Sequence, residues 1–222
     1  MNDCLKENIR QKIERTRKNL ESNNMQTFYA ETKEDAVSIV ESLLEEGSTI
    51  AKGGSMTLKE AGITDLLMSG RYNFLDSTGL SGDEQRNCYL QAFFADTFLC
   101  SANAITENGE LYNVDGTSNR VAAICYGPKS VIIVAGYNKI VSNLDEAIKR
   151  VKNIAAPCNA KRLEYKTYCY EKGLCMSCTS DNNEMTAGCK SDQRICCNYL
   201  VSAQQRIKNR IKVIIINDSL GF

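Results

Sequence analysis

Apolar residues along this chain follow two different spacings. Near the N-terminus they recur on one face of a helix, at Leu5, Ile9, Ile13 and Leu20. Further on they form short continuous runs, and the runs at residues 130–135 and 210–217 are rich in Val and Ile, as central buried strands are. The pattern as a whole predicts strands that alternate with helices, which is typical of a mainly parallel sheet covered on both faces.

Shorter runs and helix-capping signals predict the other elements. Strands are expected at residues 28–30, 48–51, 72–76, 96–100, 103–106 and 111–114, the last two paired as a hairpin around Asn108-Gly109. Helices are expected at residues 32–47, 58–67, 81–94, 121–125 and 144–154. Four regions follow: an N-terminal amphipathic helix over residues 1–25, an α/β domain over 26–165, a cysteine-rich module over 166–200, and a C-terminal strand over 201–222 that returns to the main sheet.

Three polar, glycine-bearing clusters follow predicted strands: Gly53–Thr57, Asn103–Arg120 and Gly136–Lys139. Ligands bind at the carboxyl ends of strands in parallel sheets, so the three clusters together predict a ligand site. A glycine turn that leads into a helix lets backbone N–H groups approach an anion closely, which favours a ligand with a carboxylate or a phosphate. An ordinary turn explains each cluster equally well when it is taken alone.

Side chains in these clusters have definite candidate roles. The candidate ligand-binding residues are Gly53, Gly54, Ser55, Thr57, Asn103, Asn119 and Arg120, and the candidate catalytic residues are Glu107, Asp115 and Lys139. Arg120 and Lys139 would supply positive charge, and an arginine suits a two-point grip on a carboxylate. Structural alternatives stay open, with Arg120 paired to Asp115 in a bridge and Lys139 as a solvated strand end.

Cysteines concentrate near the C-terminus. Six of the eleven lie between Cys169 and Cys197, in a chain that has no histidine. This supplies enough thiolates for a closed four-ligand site, which would hold zinc or an iron–sulfur cluster. The segment is too polar for its cysteines to be explained as core packing. Reduced thiols, or disulfides in an exported chain, are the alternatives.

Composition excludes several classes of function. Lys and Arg together number 27, as do Asp and Glu, and this zero net charge argues against broad nucleic-acid binding. The N-terminus lacks the apolar region of a signal peptide, and the longest apolar runs are too short to span a bilayer, so we expect a cytoplasmic chain with reduced thiols and no membrane partner. The absence of histidine excludes Ser-His-Asp and Cys-His catalysis.

Several motifs together resemble the lactate-utilisation (LUD) domain family. They are the segments 53–58, 102–110, 114–122, 126–129, 137–141, 155–163 and 213–222. The resemblance covers roughly residues 28–222 and implies a three-layer α/β/α fold like that of sugar-phosphate isomerases and CoA transferases. It also implies involvement in oxidising lactate to pyruvate beside partner proteins that carry iron–sulfur clusters. The resemblance therefore implies a pathway, but it does not define the reaction of this domain.

The cysteine segment resembles the cysteine-bearing branch of that family, which has Thr-Pro-Cys, Gly-x-Cys-x-x-Cys and Arg-Ile-Cys motifs. By this resemblance the metal ligands are Cys169, Cys175, Cys178 and Cys196. The sequence departs from the pattern because Tyr168 replaces proline and because the link to Cys196 is longer. The extra Cys189, or Cys197, would then be able to replace one ligand.

Three functions are compatible with the sequence. The first is a component of lactate oxidation with a 4Fe-4S cluster, which we prefer to zinc because the pathway is redox. The second is a non-redox small-molecule-binding or regulatory protein with a structural zinc site. The third is a transferase or isomerase that uses the ligand site of the fold. The amphipathic N-terminal helix would also suit the contact of a homodimer.

Overall fold

A computed structural model describes residues 2–180 and 184–222 of the chain. The strands of the described residues are β1 (Gln26–Ala30), β2 (Thr49–Lys52), β3 (Asn73–Leu75), β4 (Thr97–Cys100), β5 (Ala104–Thr106), β6 (Leu111–Asp115), β7 (Ser130–Gly136), β8 (Ile140–Val141), β9 (Asn198–Ser202) and β10 (Ile211–Ile216).

The helices lie mainly between consecutive strands. They are α1 (Asp3–Ser22), α2 (Lys33–Leu43), α3 (Met56–Glu60), α4 (Ile63–Leu67), α5 (Gly82–Gln91), α6 (Asn119–Cys125), α7 (Leu144–Arg150), α8 (Ala156–Arg162) and α9 (Tyr168–Lys172). Short 3-10 turns cover Ala92–Phe94, Tyr137–Lys139 and Met176–Thr179, and a π-helical turn at Val151–Ala155 joins α7 to α8. None of the helices in the described part of the chain has the length and apolar character needed to cross a membrane.

Six strands form a parallel sheet in the order β1-β10-β7-β4-β2-β3. Side chains alternate across this sheet, so that Val131 and Ile133 of β7 face one hydrophobic core while Ile132 and Val134 face another. Helix α1 packs on the first face, and α2, α3 and α4 pack on the second. The predicted three-layer α/β/α fold with a mainly parallel sheet is confirmed.

A second sheet of four strands, in the order β8-β5-β6-β9, covers one end of the first. Its β5–β6 pair is the antiparallel hairpin that the Asn-Gly turn predicts. Strand β9 adds the cysteine segment to this sheet, and Cys196 and Tyr199 pack against a small core around Tyr112. The prediction of a separate cysteine-rich module is not confirmed, because the described part of the segment packs on this second sheet.

One predicted helix, over residues 58–67, is two helices. Gly62 adopts a left-handed backbone conformation with φ of 75° and separates α3 from α4. Glycine adopts this conformation without the steric cost that a Cβ atom brings. Helix α2 begins as predicted, with a reciprocal cap between Thr32 and Asp35.

Candidate functional site

A cavity of about 760 Å³ opens at the carboxyl ends of β2, β4 and β7, and we call it the strand-end cavity. Eight of the predicted site residues line it: Gly54, Ser55, Thr57, Asn103, Asp115, Asn119, Arg120 and Lys139. The loops after the three strands therefore meet, as expected at this edge of a parallel sheet. The volume is typical of a small-molecule site.

Lys139 lies at the base of the strand-end cavity. It ends the 3-10 turn after β7 and is almost fully buried, with 3% of its surface exposed. Its Nζ atom donates hydrogen bonds to Thr57 Oγ1 at 2.8 Å and to Ser101 Oγ at 2.9 Å. The ion pairs found among residues 2–180 and 184–222 do not include Lys139.

This environment favours the neutral amine. Burial, together with the nearby positive charges of Arg150 and Arg120, lowers the pKa of Lys139 from 10.5 to about 7. Arg150 is itself buried and donates to the backbone oxygens of Asn138 and Asn103. Lys139 is therefore a poised amine, which exchanges a proton near neutral pH.

Arg120 is engaged entirely by the protein. Its guanidinium carries five N–H groups, and these make five hydrogen bonds to Asp115, Asn113, Asn103 and the backbone oxygens of Ser101 and Val114. The ion pair to Asp115 measures 2.7 Å, and both side chains are largely buried. No donor of Arg120 is left to grip a ligand, so the structural alternative applies and the predicted ligand contact is corrected.

The partners of Arg120 are fixed by the same network. Asp115 accepts from Arg120 through Oδ1 and from the N–H of Val121 through Oδ2, at the start of α6. Asn103 accepts hydrogen bonds from Arg120 and from the N–H of Val114 through its side-chain oxygen Oδ1. Both residues border the cavity, but their hydrogen bonds hold the loops that shape it.

Two predicted site residues do not line the cavity. A Cβ atom on Gly53 would lie 2.8 Å from Cδ of Arg120, so this glycine makes room for the arginine. Glu107 follows β5 and pairs with Arg15 at 3.1 Å and with Lys12 at 3.9 Å. Its carboxylate therefore ties α1 to the second sheet, and the structure does not bring this predicted catalytic residue to the site.

The structure adds residues that the sequence reasoning missed, among them Ser101, Arg162, Arg194, Tyr89, Tyr165 and Phe222. Arg162 ends α8, and its Nε and Nη2 groups donate to Asn159. Its Nη1 group has no partner within the described residues, so this guanidinium keeps donors for a ligand. The signal for Arg162 was its place inside the motif at residues 155–163.

Four cysteines surround a second, smaller cavity, which we call the thiol cavity. They are Cys169, Cys175, Cys189 and Cys196. Three of the four predicted ligands line this cavity. The other predicted ligand, Cys178, does not, and Cys197 lines the strand-end cavity instead. Burial raises the pKa of the Cys169 and Cys196 thiols. Over residues 2–180 and 184–222, no three Cys, Asp or Glu side chains are grouped so that they could hold a metal ion.

Arg194 lies between the two cavities. Its guanidinium lines the strand-end cavity and donates to the backbone oxygens of Cys189 and Cys196, which line the thiol cavity. It also donates to the hydroxyl of Tyr199. These hydrogen bonds fix the path of the cysteine segment against the strand-end cavity.

Comparison with known proteins assigns the family. The family model of the LUD domain matches residues 13–216. The crystal structure of a DUF162 family protein from Deinococcus radiodurans superposes with a TM-score of 0.52 at 13% identity, covering 94% of this chain and 98% of that one. This likeness concerns the fold alone. No curated protein matches the sequence significantly. Because the family model spans most of the chain, the protein belongs to the LUD-domain, or lactate-utilisation, family.

Proposed function

We propose that the protein is a component of the oxidation of lactate to pyruvate and that its strand-end cavity binds a small carboxylate. The observation that carries this proposal is the buried amine of Lys139 beside two hydroxyl groups in an open cavity. A buried amine without a carboxylate partner among the described residues is open to contact with a small acid. Membership of the lactate-utilisation family supports this choice of acid.

In the proposed complex Arg162 holds the carboxylate at the rim while Lys139 contacts the reacting end of the ligand. Within the described residues Arg162 keeps an Nη1 group without a partner, whereas Arg120 uses all of its donors on the protein and Arg150 does not line the cavity. Ser101 and Thr57 are the hydroxyl groups able to orient the ligand beside the amine. The cavity is larger than a three-carbon acid requires, which leaves room for a second, phosphate-bearing ligand.

We also propose that the thiol cavity holds a 4Fe-4S cluster. Four cysteine side chains line it, which is the number and type of ligand that such a cluster takes. A zinc ion requires four ligands within about 2.3 Å of one point, and the described side chains form no such group. A cluster binds each of its cysteines through a separate iron, so its ligands need not converge on one point. When bound, it would supply one-electron transfer, and partner proteins with clusters of their own would exchange electrons with it.

Metal analysis of protein purified without oxygen tests the cluster. We expect several irons per chain in the wild type and in Cys178→Ser, and a large loss of iron in Cys189→Ser. Cys178 is the matched control because it lies on the same segment but does not line the thiol cavity. Zinc in place of iron would favour a non-redox binding protein with a structural metal. A protein that contains neither metal, after anaerobic reconstitution with iron and sulfide, would refute the site.

Calorimetry with lactate and pyruvate tests the carboxylate site. Arg162→Ala removes a charged donor, so affinity should fall about tenfold to a hundredfold, as the loss of a charge-assisted hydrogen bond implies. Arg71→Ala is the control, because Arg71 is also an exposed arginine and pairs with Glu41 away from the cavity. Equal losses in both variants would argue against a specific role for Arg162.

A further inference from the structure

We infer that the strand-end cavity takes 2-oxo acids covalently, as an imine between Nζ of Lys139 and the keto carbon of the acid. This inference rests on the proposed function, because it uses the same cavity and the same carboxylate contact. It goes further because it predicts that the site distinguishes the oxidised acid, a 2-oxo acid, from the reduced 2-hydroxy acid. A 2-hydroxy acid has no carbonyl group and can bind at this site only without a covalent bond.

The hydrogen bonds of Lys139 suit a nucleophilic amine. Nζ donates to Thr57 and to Ser101, and each hydroxyl has a backbone oxygen within reach, Leu220 for the first and Ala102 for the second. A charged ammonium has three donors, and the described residues provide partners for two of them. The neutral amine has both of its N–H groups satisfied, and its lone pair is left over.

The surroundings keep this amine both neutral and accessible. Lys139 is 3% exposed, yet it lines the strand-end cavity together with its two hydroxyl partners. Burial and the nearby Arg150 and Arg120 hold its pKa at about 7, so a large fraction is unprotonated at neutral pH. Desolvation next to other cationic groups is a known way in which proteins activate a lysine toward carbonyl carbons.

The second requirement is a group that holds the acid with its keto carbon near Nζ. Arg162 lines the same cavity and keeps its Nη1 group for a carboxylate. Ser101 and Thr57 already hold the amine, and their hydroxyl groups are able to relay the protons that the reaction moves. No acidic residue forms an ion pair with Lys139 in the described chain, so nothing there competes with the ligand for it.

The step balances without an oxidant or a reductant. The lone pair of Nζ attacks the keto carbon, a carbon–nitrogen bond forms as the carbonyl π bond breaks, and one proton moves from the nitrogen to the oxygen. The resulting carbinolamine passes the second nitrogen proton to its hydroxyl group, which leaves as water as the carbon–nitrogen double bond forms. One amine and one 2-oxo acid thereby give one imine and one water, and hydrolysis reverses the step.

Borohydride trapping tests the inference on the full-length protein. The protein is incubated with pyruvate and sodium cyanoborohydride at pH 7 to 8, followed by intact mass measurement and peptide mapping. We expect one reduced adduct per chain, mapped to Lys139, with no adduct when lactate replaces pyruvate. Lys139→Met should lower the adduct to the level of a sample without pyruvate.

Lys212→Met is the matched control for the trapping experiment. Lys212 also bonds a hydroxyl group, that of Ser130, and burial also lowers its pKa, but it lies outside the cavity. This variant should keep the full adduct. A label spread over many lysines, and unchanged in Lys139→Met, would overturn the inference.

Calorimetry with pyruvate and lactate on the same protein separates the two proposals. Binding of pyruvate without a trapped adduct would refute the imine and leave the carboxylate site standing. If neither acid binds, both the proposed function and the imine fail. Binding of both acids together with an adduct on Lys139 alone supports both.

Discussion

Replacing Lys139 with methionine should stabilise the protein at neutral pH. The folded state holds an amine that is 3% exposed and has no carboxylate partner in the described chain, whereas the unfolded chain leaves it in water. Folding therefore opposes protonation of this lysine. Methionine has a similar length and flexibility and carries no charge, so it removes this cost while it fills much of the same space.

The magnitude follows from the two pKa values. Lys139 has a pKa of about 7 in the folded protein against an ordinary value of 10.5, and each pH unit corresponds to about 1.4 kcal/mol. The full cost, of order 5 kcal/mol, applies below pH 7, where both states bind the proton. Between pH 7 and 10.5 only the unfolded state is protonated, so the wild type gains stability as pH rises. The lost hydrogen bonds to Thr57 and Ser101 offset the gain in the variant by about 1 kcal/mol each.

Urea unfolding of both proteins at pH 7 to 9.5 measures this effect. The difference in free energy of unfolding between Lys139→Met and the wild type should shrink with pH at about 1.4 kcal/mol per unit. Lys129→Met is the control, because Lys129 has 87% of its side chain exposed and the difference there should stay small. A difference for Lys139→Met that is constant over this pH range would refute the buried neutral amine.

Two further predictions concern the framework around the cavity. Arg120→Ala should lower the free energy of unfolding by about 3–5 kcal/mol, because it leaves the buried Asp115 without its partner, and chemical denaturation measures this loss. Gly53→Ala should cost about 1–3 kcal/mol through its clash with Cδ of Arg120. Gly54→Ala, whose Cβ would meet nothing closer than 4.0 Å, is its control and should leave the melting temperature almost unchanged. Equal effects of the two alanines would contradict the packing argument.

The sequence predicted the main sheet well because its strands are marked by local composition. The Val- and Ile-rich runs of β7 and β10 are buried on both sides, and no helix period competes with them. In the second sheet the β5–β6 hairpin was predicted, but β8 and β9 were missed, since β8 has two residues and β9 is only partly buried. Short, partly buried strands of this kind are stabilised mainly by packing against neighbouring strands, so the local sequence of the segment does not predict them.

The sequence predicted where the site lies better than it predicted what each residue does there. Lys139 and Thr57 follow strands that end at one edge, so their meeting follows from the topology. The engagement of Arg120 depends on acceptors from the loop between β4 and β5 and from strand β6, which no spacing reveals. The choice between Cys178 and Cys189 likewise depends on how the segment folds over the second sheet. Residues 181–183 of the predicted module lie outside the described residues.

The positive charges around the strand-end cavity divide into two kinds, and this division supports the proposed role of Lys139 as the reactive group. Arg120 uses all of its donors on the protein, and Arg150 is buried outside the lining of the cavity, so both contribute fixed charge. Their field lowers the pKa of Lys139 and adds to the effect of burial. A bound acid would meet that field at Lys139, whose amine is able to respond by taking up a proton or forming a bond. The two arginines thus lower the pKa of the lysine without binding the proposed ligand themselves.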